Sequence, residues 1–281
     1  MATDPGTIEQ VGGGWRRFGR YVLLIAVSFV VLFPIYVMAV AALKPGNKVF
    51  DRPLVPDAFT LDILRDAWTQ GHLGRYLVNS TVVAAIVLVA QLVTSVLSAY
   101  AFAFLDFPLK NVFFAIFLAT LLVPLEVTLV VNRRTIDALD WLNTYQGLAA
   151  PFLATAFGTF FLRQVFLQIP KDLREAADMD GLGHFGFLRE VAVPLVRPTL
   201  GALGLFTFLS TWNQYLWPRL IIDEEDMNTV PSGLKLLSST DLDKPNLVMA
   251  GVLIAFVPIF LVLLFFQRQL VRGLTAGAVK G

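Results

Sequence analysis

Few side chains in this 281-residue chain could act on a bond, and they do not form a recognisable set. It has no cysteines, which removes thiol nucleophiles, thiolate metal sites and disulfides. Two histidines, His72 and His184, lie far apart in the sequence. No HExxH, GxSxG or GxxxxGK[ST] pattern occurs, so there is no zinc-protease helix, nucleophile elbow or phosphate-cradling loop. What remains is recognition chemistry. Arg133 and Arg134 carry guanidinium forks that suit phosphate oxygens. Trp212, Asn213, Gln214, Tyr215 and Trp217 combine apolar bodies with hydrogen-bonding tips, a combination suited to a polyol. Glu126 is an acid inside an otherwise apolar run.

The elements that must position these residues are membrane helices. The chain is 56% hydrophobic and only 15% charged. Its net charge of +1 gives no basic patch for nucleic acid. Apolar runs cover Tyr21–Leu43, Leu77–Leu105, Asn111–Val131, Gly147–Leu167, Leu200–Ile222 and Val248–Phe266. Each approaches the roughly 20 residues that cross a bilayer as a helix. Backbone groups cannot stay unpaired in lipid, so the expected fold is all-α integral membrane with six transmembrane helices. The first run, with Ala39-Val40-Ala41 near its end, could be read as a signal peptide. It is too long for an h-region and follows an unusually long polar lead, so it is read as a retained helix. Six crossings put both termini on one side. Arg16, Arg17 and Arg20 before the first helix, and Arg268, Arg272 and Lys280 after the last, argue that this side is cytoplasmic. The expected organisation is a tail over 1–20, a six-helix domain over 21–267 and a tail over 268–281, in the cell membrane.

Within that frame each candidate has two readings. A charge in a span costs about 2.5–3.5 kcal/mol on insertion scales and is often functional. Glu126 lines a pathway or pairs with an arginine of a partner chain. Arg133 and Arg134 attract an anionic solute or reach for lipid phosphate. The Trp212–Trp217 group contacts substrate or forms an aromatic belt at the interface. Gln91 and Arg163 are best explained by helix–helix hydrogen bonds. In the long loop 44–76, Thr60 can cap a short helix carrying Leu61, Leu64 and Trp68, an interfacial packing element.

One segment breaks the apolar pattern: REAADMDGLGHFGFLREVAVP, residues 174–194, between the fourth and fifth runs. Pro170 suits a helix start, Asp172 and Glu175 suit its positive end, and Gly181, Gly183 and Gly186 interrupt it. The residues alone allow a plain loop or a rigid contact for a partner. The spacing Glu175-Ala176-Ala177, three residues, Gly181, nine residues, Val191-x-Val193-Pro194 resembles the EAA loop of binding-protein-dependent ABC importer permeases, EAA-x3-G-x9-I-x-LP. Valines replace Ile and Leu and keep the apolar character. IPKDLREAADMDG is similar to carbohydrate-importer permeases related to the maltose system. Asn79-Ser80 and the tail GLTAGAVKG fit the same family. WNQYLWP and PLEV look closest to its sn-glycerol-3-phosphate branch.

The resemblance implies the type I importer permease fold, with the loop 168–197 docking as a coupling helix on a separate ATPase. Glu175, Ala176, Ala177, Asp180, Gly181 and Pro194 belong to that loop, and Lys280 in the tail would also reach the ATPase. The chain would be no enzyme and hold no cofactor; ATP and Mg would bind to the ATPase subunit. The implied partners are a homologous second permease, two ATPase copies, an extracytoplasmic binding protein and membrane lipid. The implied cargo is sn-glycerol-3-phosphate or a glycerophosphodiester such as glycerophosphocholine, with a disaccharide or other sugar as the alternative. An integral membrane enzyme would need a nucleophile–base or metal set, and a stand-alone carrier would not need the EAA loop.

Overall fold

The computed structural model describes residues 13–45, 54–55, 59–240 and 245–275; Lys280 and the remainder of both tails lie outside the described residues. No strand occurs among them, and the elements are helices throughout. In order these are α1 (Gly13–Ala42), α2 (Asp62–Thr69), α3 (Leu73–Phe104), α4 (Lys110–Ala119), α5 (Leu125–Ala138), α6 (Tyr145–Ala149), α7 (Ala156–Phe166), α8 (Lys171–Met179), α9 (His184–Phe187), α10 (Val193–Leu195), α11 (Arg197–Trp212), α12 (Leu216–Ile221), α13 (Val230–Thr240) and α14 (Pro245–Thr275). A π-type turn at Leu188–Ala192 joins α9 to α10. Proline at position 194 cannot donate to the helix behind it, and a widened turn just before it absorbs that loss.

Three stretches are long and apolar enough to cross a membrane unbroken: Arg17–Ala42, Leu73–Phe104 and Pro245–Gln267. Three more are bent pairs: Lys110–Leu122 with Leu125–Ala138 at 98°, Tyr145–Phe152 with Ala156–Phe166 at 47°, and His184–Leu195 with Arg197–Trp212 at 78°. The count is six if each pair makes one crossing. The expected straight runs at 111–131, 147–167 and 200–222 are therefore corrected. The first breaks at Val123–Pro124, where Pro124 takes the extended N-cap conformation of α5. The second breaks at 153–155, and the last ends at Trp212, with α12 separate from α11. α1 already begins at Gly13, so Arg17 and Arg20 ride on the helix instead of preceding it.

α3 is the spine, contributing to all three buried clusters. Its first half packs through Leu73, Tyr76 and Ala84 with Ala42, Ala67, Trp212, Val230 and Leu247. Val83 and Val87 meet Leu129, Ile136, Leu148, Trp217 and Ile221. Its last turns, Ala99 and Tyr100, join Leu162, Phe166, Ala177, Phe187 and Leu203. α13 comes close because Gly233 has no Cβ; one built there would lie inside the Tyr76 ring. By contrast, every residue of α1 from Arg17 to Pro34 is exposed, a face suited to lipid or another helix.

At one end of α3 a polar knot closes the fold. Buried Asn79 donates to the carbonyls of Asp226 (2.7 Å) and Asn228 (2.9 Å) and accepts from the Tyr145 hydroxyl (2.7 Å). Ser80 accepts the Val230 N–H at 2.8 Å. The Asn143 side-chain oxygen accepts the N–H groups of Asp223 and Glu224, holding the acidic loop. Nearby, Thr60 accepts the Asp62 N–H at 3.1 Å and starts α2, but α2 buries Ile63 and Ala67 while Leu61 and Trp68 stay exposed.

Candidate functional site

At the opposite end of α3 the chain projects a hairpin, α8 and α9. Pro170 caps α8 in an extended conformation, and Asp172 sits in its first turn, where an acid offsets the positive helix end. The helix stops in a Schellman arrangement. Leu182 N–H reaches Ala177 O at 2.9 Å, Gly181 N–H reaches Asp178 O at 3.1 Å, and Gly181 takes φ +78°. Gly183 then caps α9. The glycine spacing read from the sequence is thus a turn requirement.

The hairpin has two faces. Glu175, Ala176, Asp180 and Gly181 point away from the body, as the EAA reading expects of contact residues. Ala177 does not: it is buried in the chain's own core against the end of α3 and Phe187. Its small size lets α8 lie close to this chain, so of the residues assigned to the docking loop Ala177 is corrected to internal packing. Pro194 is half-buried and shapes the return into α11. Two residues missed in the sequence stand out on the open face. Met179 is 90% exposed and Phe185 72% exposed, among carboxylates. Exposed apolar side chains clustered with charges mark a contact surface, and methionine adapts well to one.

Underneath, the hairpin is fastened to α3. The Tyr100 hydroxyl lies 3.0 Å from His184 Nδ1, and Arg174 Nη1 donates to the same hydroxyl at 3.5 Å. Arg174 also pairs with Asp178 at 2.7 Å and sits over the Phe187 ring, 5.0 Å from its centroid.

The second candidate site is a pocket of about 170 Å³ near the middle of α3. Gln91, Thr155, Thr207, Ser210, Thr211 and Gln214 line it with Phe152, Phe157 and Phe206. Gln91 clamps its wall, donating to Phe152 O at 2.8 Å and accepting from the Thr207 hydroxyl at 2.9 Å. This is the helix–helix role expected for Gln91. Arg163 has the matching role, donating to Phe102 O at 3.1 Å and lying over Phe114. Among the described residues, the side chains of Thr155, Ser210, Thr211 and Gln214 make no hydrogen bond, so their polar atoms are available to a solute. A larger groove of about 450 Å³ along Phe29, Leu32, Phe33, Tyr36 and Leu54 is apolar and suits lipid instead.

The pocket gathers only part of the expected pathway set. Gln214 lines it; Asn213 is exposed beside it and turns back to cap α11 through Leu209 O at 2.8 Å. Tyr215 is half-buried at the start of α12. The sequence reading offered Trp212 and Trp217 to a substrate; the structure uses both for packing. Trp212 is buried against Phe208, and Trp217 is fully buried with its indole N–H on Gly147 O at 3.1 Å. Glu126, Arg133 and Arg134 sit on α5, outside the pocket lining. Glu126 and Arg134 are exposed, Arg133 is half-buried, and none has an ion-pair partner among the described residues.

A membrane-type helical chain with a solvent-facing EAA hairpin and a polar pocket among its helices matches the family model for the binding-protein-dependent transport system inner membrane component, over residues 12–276. The chain belongs to this family. Similar curated proteins include the "sn-glycerol-3-phosphate transport system permease protein UgpE" of Pectobacterium atrosepticum, 39% identical over 90% of this chain and 94% of the relative. The protein of the same name from Salmonella typhi is 36% identical over 93% of this chain and 96% of the relative. Among solved structures, a chain of a bacterial ABC transporter involved in the import of the acidic polysaccharide alginate superposes with a TM-score of 0.78. It is 23% identical and covers 90% of this chain and 96% of that one, a likeness of fold. The molecule is thus an inner-membrane permease subunit of an ABC importer, with the helical fold of type I permeases. Permeases of this family work in general with a partner permease, an ATPase and a binding protein.

Proposed function

We propose that this permease forms one half of the membrane pathway for sn-glycerol-3-phosphate or a glycerophosphodiester such as glycerophosphocholine. The observation that carries the substrate class is the 36–39% identity, over nearly the full length, to proteins named for sn-glycerol-3-phosphate transport. Those names favour the glycerophosphate class over the sugar alternative. In this reading the first two bent pairs are one crossing each and the third crosses through α11, giving six, with both termini and the hairpin in the cytoplasm. A homologous permease completes the pathway, two ATPase copies bind ATP and Mg, and a binding protein delivers solute from outside.

The exposed edge of the hairpin, Glu175, Ala176, Met179, Asp180, Gly181 and Phe185, is the ATPase contact. Glu175 and Asp180 supply polar contacts, Met179 and Phe185 the apolar centre, and Lys280 of the tail reaches the same subunit. The chain carries no chemistry of its own. ATP-driven closure of the ATPase pair shifts the helices between outward- and inward-open arrangements, because nucleotide binds the two states with different affinity. In the pocket, Ser210, Thr211, Thr155 and Gln214 offer hydroxyl and amide groups to a polyol, with Asn213 and Tyr215 at its edge. Arg133 and Arg134 draw the phosphate toward the pathway, and Glu126 pairs with a cation of the partner permease.

The deciding experiment is ATPase activity of the reconstituted importer with its binding protein, titrated with glycerol-3-phosphate, glycerophosphocholine and a panel of disaccharides. Stimulation by the glycerophosphates alone is expected. Stimulation by a sugar alone would leave the importer and overturn the substrate. In the same preparation, Gly181→Trp should release the ATPase; normal assembly and coupled uptake would remove the hairpin from the docking surface.

A further inference from the structure

Among the described residues, the hydrogen bonds from the hairpin to α3 converge on one hydroxyl. Tyr100 is buried, in the penultimate turn of the spine, and both arms of the hairpin converge on it. Arg174 comes from α8 and donates to the Tyr100 oxygen at 3.5 Å; His184 comes from α9, its Nδ1 3.0 Å from the same oxygen. An arginine only donates, so the phenol oxygen accepts from the guanidinium, while the sense of the Tyr100–His184 bond follows the imidazole tautomer. The rings around it are edge-packed: Tyr100 stands at 84° to Phe166 and 79° to His184, and Phe104 at 81° to Phe187. Arg174 and Glu175 are neighbours facing opposite ways, one into the chain and one out.

We propose that Tyr100, Arg174 and His184 are positioning residues that lock the two arms of the hairpin to α3, so that displacement of the hairpin is delivered to the spine. This rests on the hairpin being the ATPase contact. The lock matters because α8 is otherwise tied to the body by little beyond Ala177 and the loop from α7. Nine residues up the same helix, about 14 Å at 1.5 Å per residue, α3 carries Gln91 and the pocket wall. A hairpin held only by ring packing could rock on α3; one whose arms share a central hydroxyl moves with it.

The test uses the complete importer reconstituted with its binding protein, with uptake and ATP hydrolysis measured together. Tyr100→Phe keeps the ring and removes the hydroxyl. The ATPase should still co-purify and hydrolyse ATP, while solute moved per ATP falls about two- to tenfold, the range set by loss of one hydrogen bond. His184→Ala should do the same. His184→Asn, whose side-chain amide can bond the hydroxyl as donor or acceptor, should restore the ratio. The Tyr100→Phe/His184→Ala double variant should be no worse than either single one. A merely structural role would lower yield and both activities together, leaving the ratio unchanged; that result, or additive losses in the double variant, overturns the proposal. If Tyr100→Phe fails to assemble, the exposed His184 pair of variants carries the same comparison. Failure of the ATPase to co-purify with the unaltered chain would instead strike at the docking reading beneath it.

Discussion

Gly181 and Gly183 have the same residue type, neighbouring positions and open surroundings, yet alanine should affect them in opposite directions. A Cβ at either meets nothing within 4 Å. Gly181, however, holds φ +78°, where an L-residue costs about 1–2 kcal/mol. The Leu182→Ala177 and Gly181→Asp178 bonds that end α8 form only with the chain turned that way. Gly183 has φ −70° and ψ 179°, ordinary for alanine. There the substitution reduces the freedom of the open chain and stabilises by about 0.4–1 kcal/mol. The readout is local opening of the hairpin, followed by trypsin cleavage after Lys171, Arg174 and Arg189 in the solubilised importer. With cleavage slow relative to reclosing, the rate tracks the open population. One to two kcal/mol then makes Gly181→Ala roughly 5–30-fold faster to cleave. Gly183→Ala should be cleaved no faster than the unaltered chain. Gly181→Asn, which tolerates the left-handed region, should fall between. Equal cleavage of the two alanine variants would refute the claim that backbone conformation, not bulk, is what Gly181 supplies.

Other consequences can be checked separately. Gln91→Leu and Thr207→Val remove partners of one bond, so a double-mutant cycle in unfolding free energy should show coupling of about 0.6 kcal/mol, the average for such bonds between membrane helices; simple additivity would dissolve the clamp. Gly233→Ala should lower stability by about 1–3 kcal/mol because the new methyl enters the space of the buried Tyr76 ring. Tyr76→Leu in that background should recover part of the thermal midpoint, and an unchanged midpoint in the single variant would contradict the packing. Arg133→Ala with Arg134→Ala should slow glycerophosphate uptake most at low ionic strength, where long-range attraction is unscreened; unchanged rates across the salt series would remove the steering role.

Sequence reasoning reached the elements that lipid and backbone geometry dictate. Apolar runs must be helical, and Pro170 with Gly181 bounds α8 for local reasons a reader can work out. It reached less far where the answer depends on what a helix packs against. Composition cannot tell that Ala177 turns inward while Ala176 turns outward, or that Trp217 spends its only donor on Gly147. The break before α5 was written in the sequence as Pro124, but counting apolar residues passes over a proline that redirects the chain. The knot at Asn79 joins residues 66 or more positions apart and the lock at Tyr100 residues 74 or more apart, and no local pattern announces such partners.

The broken helices and the spine make sense together. A bundle of unbroken helices can change shape only by sliding or tilting whole rods, which are close-packed and resist it. Here α3 is unbroken from the polar knot to the hairpin, while the helices facing it at the pocket are interrupted, at 153–155 before α7 and at 213–215 after α11. Carbonyls freed at the first break are taken up by α3 itself: Gln91 binds Phe152 O and Thr94 binds Leu153 O. Irregular backbone at membrane depth is tolerated where it lines a polar cavity, and such breaks often surround transported solutes. With the hairpin as the ATPase contact, displacement enters at one end of a stiff helix. The pocket wall can yield at two breaks, the first of them hydrogen-bonded to that helix, so the pocket reshapes without the surrounding rods sliding past one another.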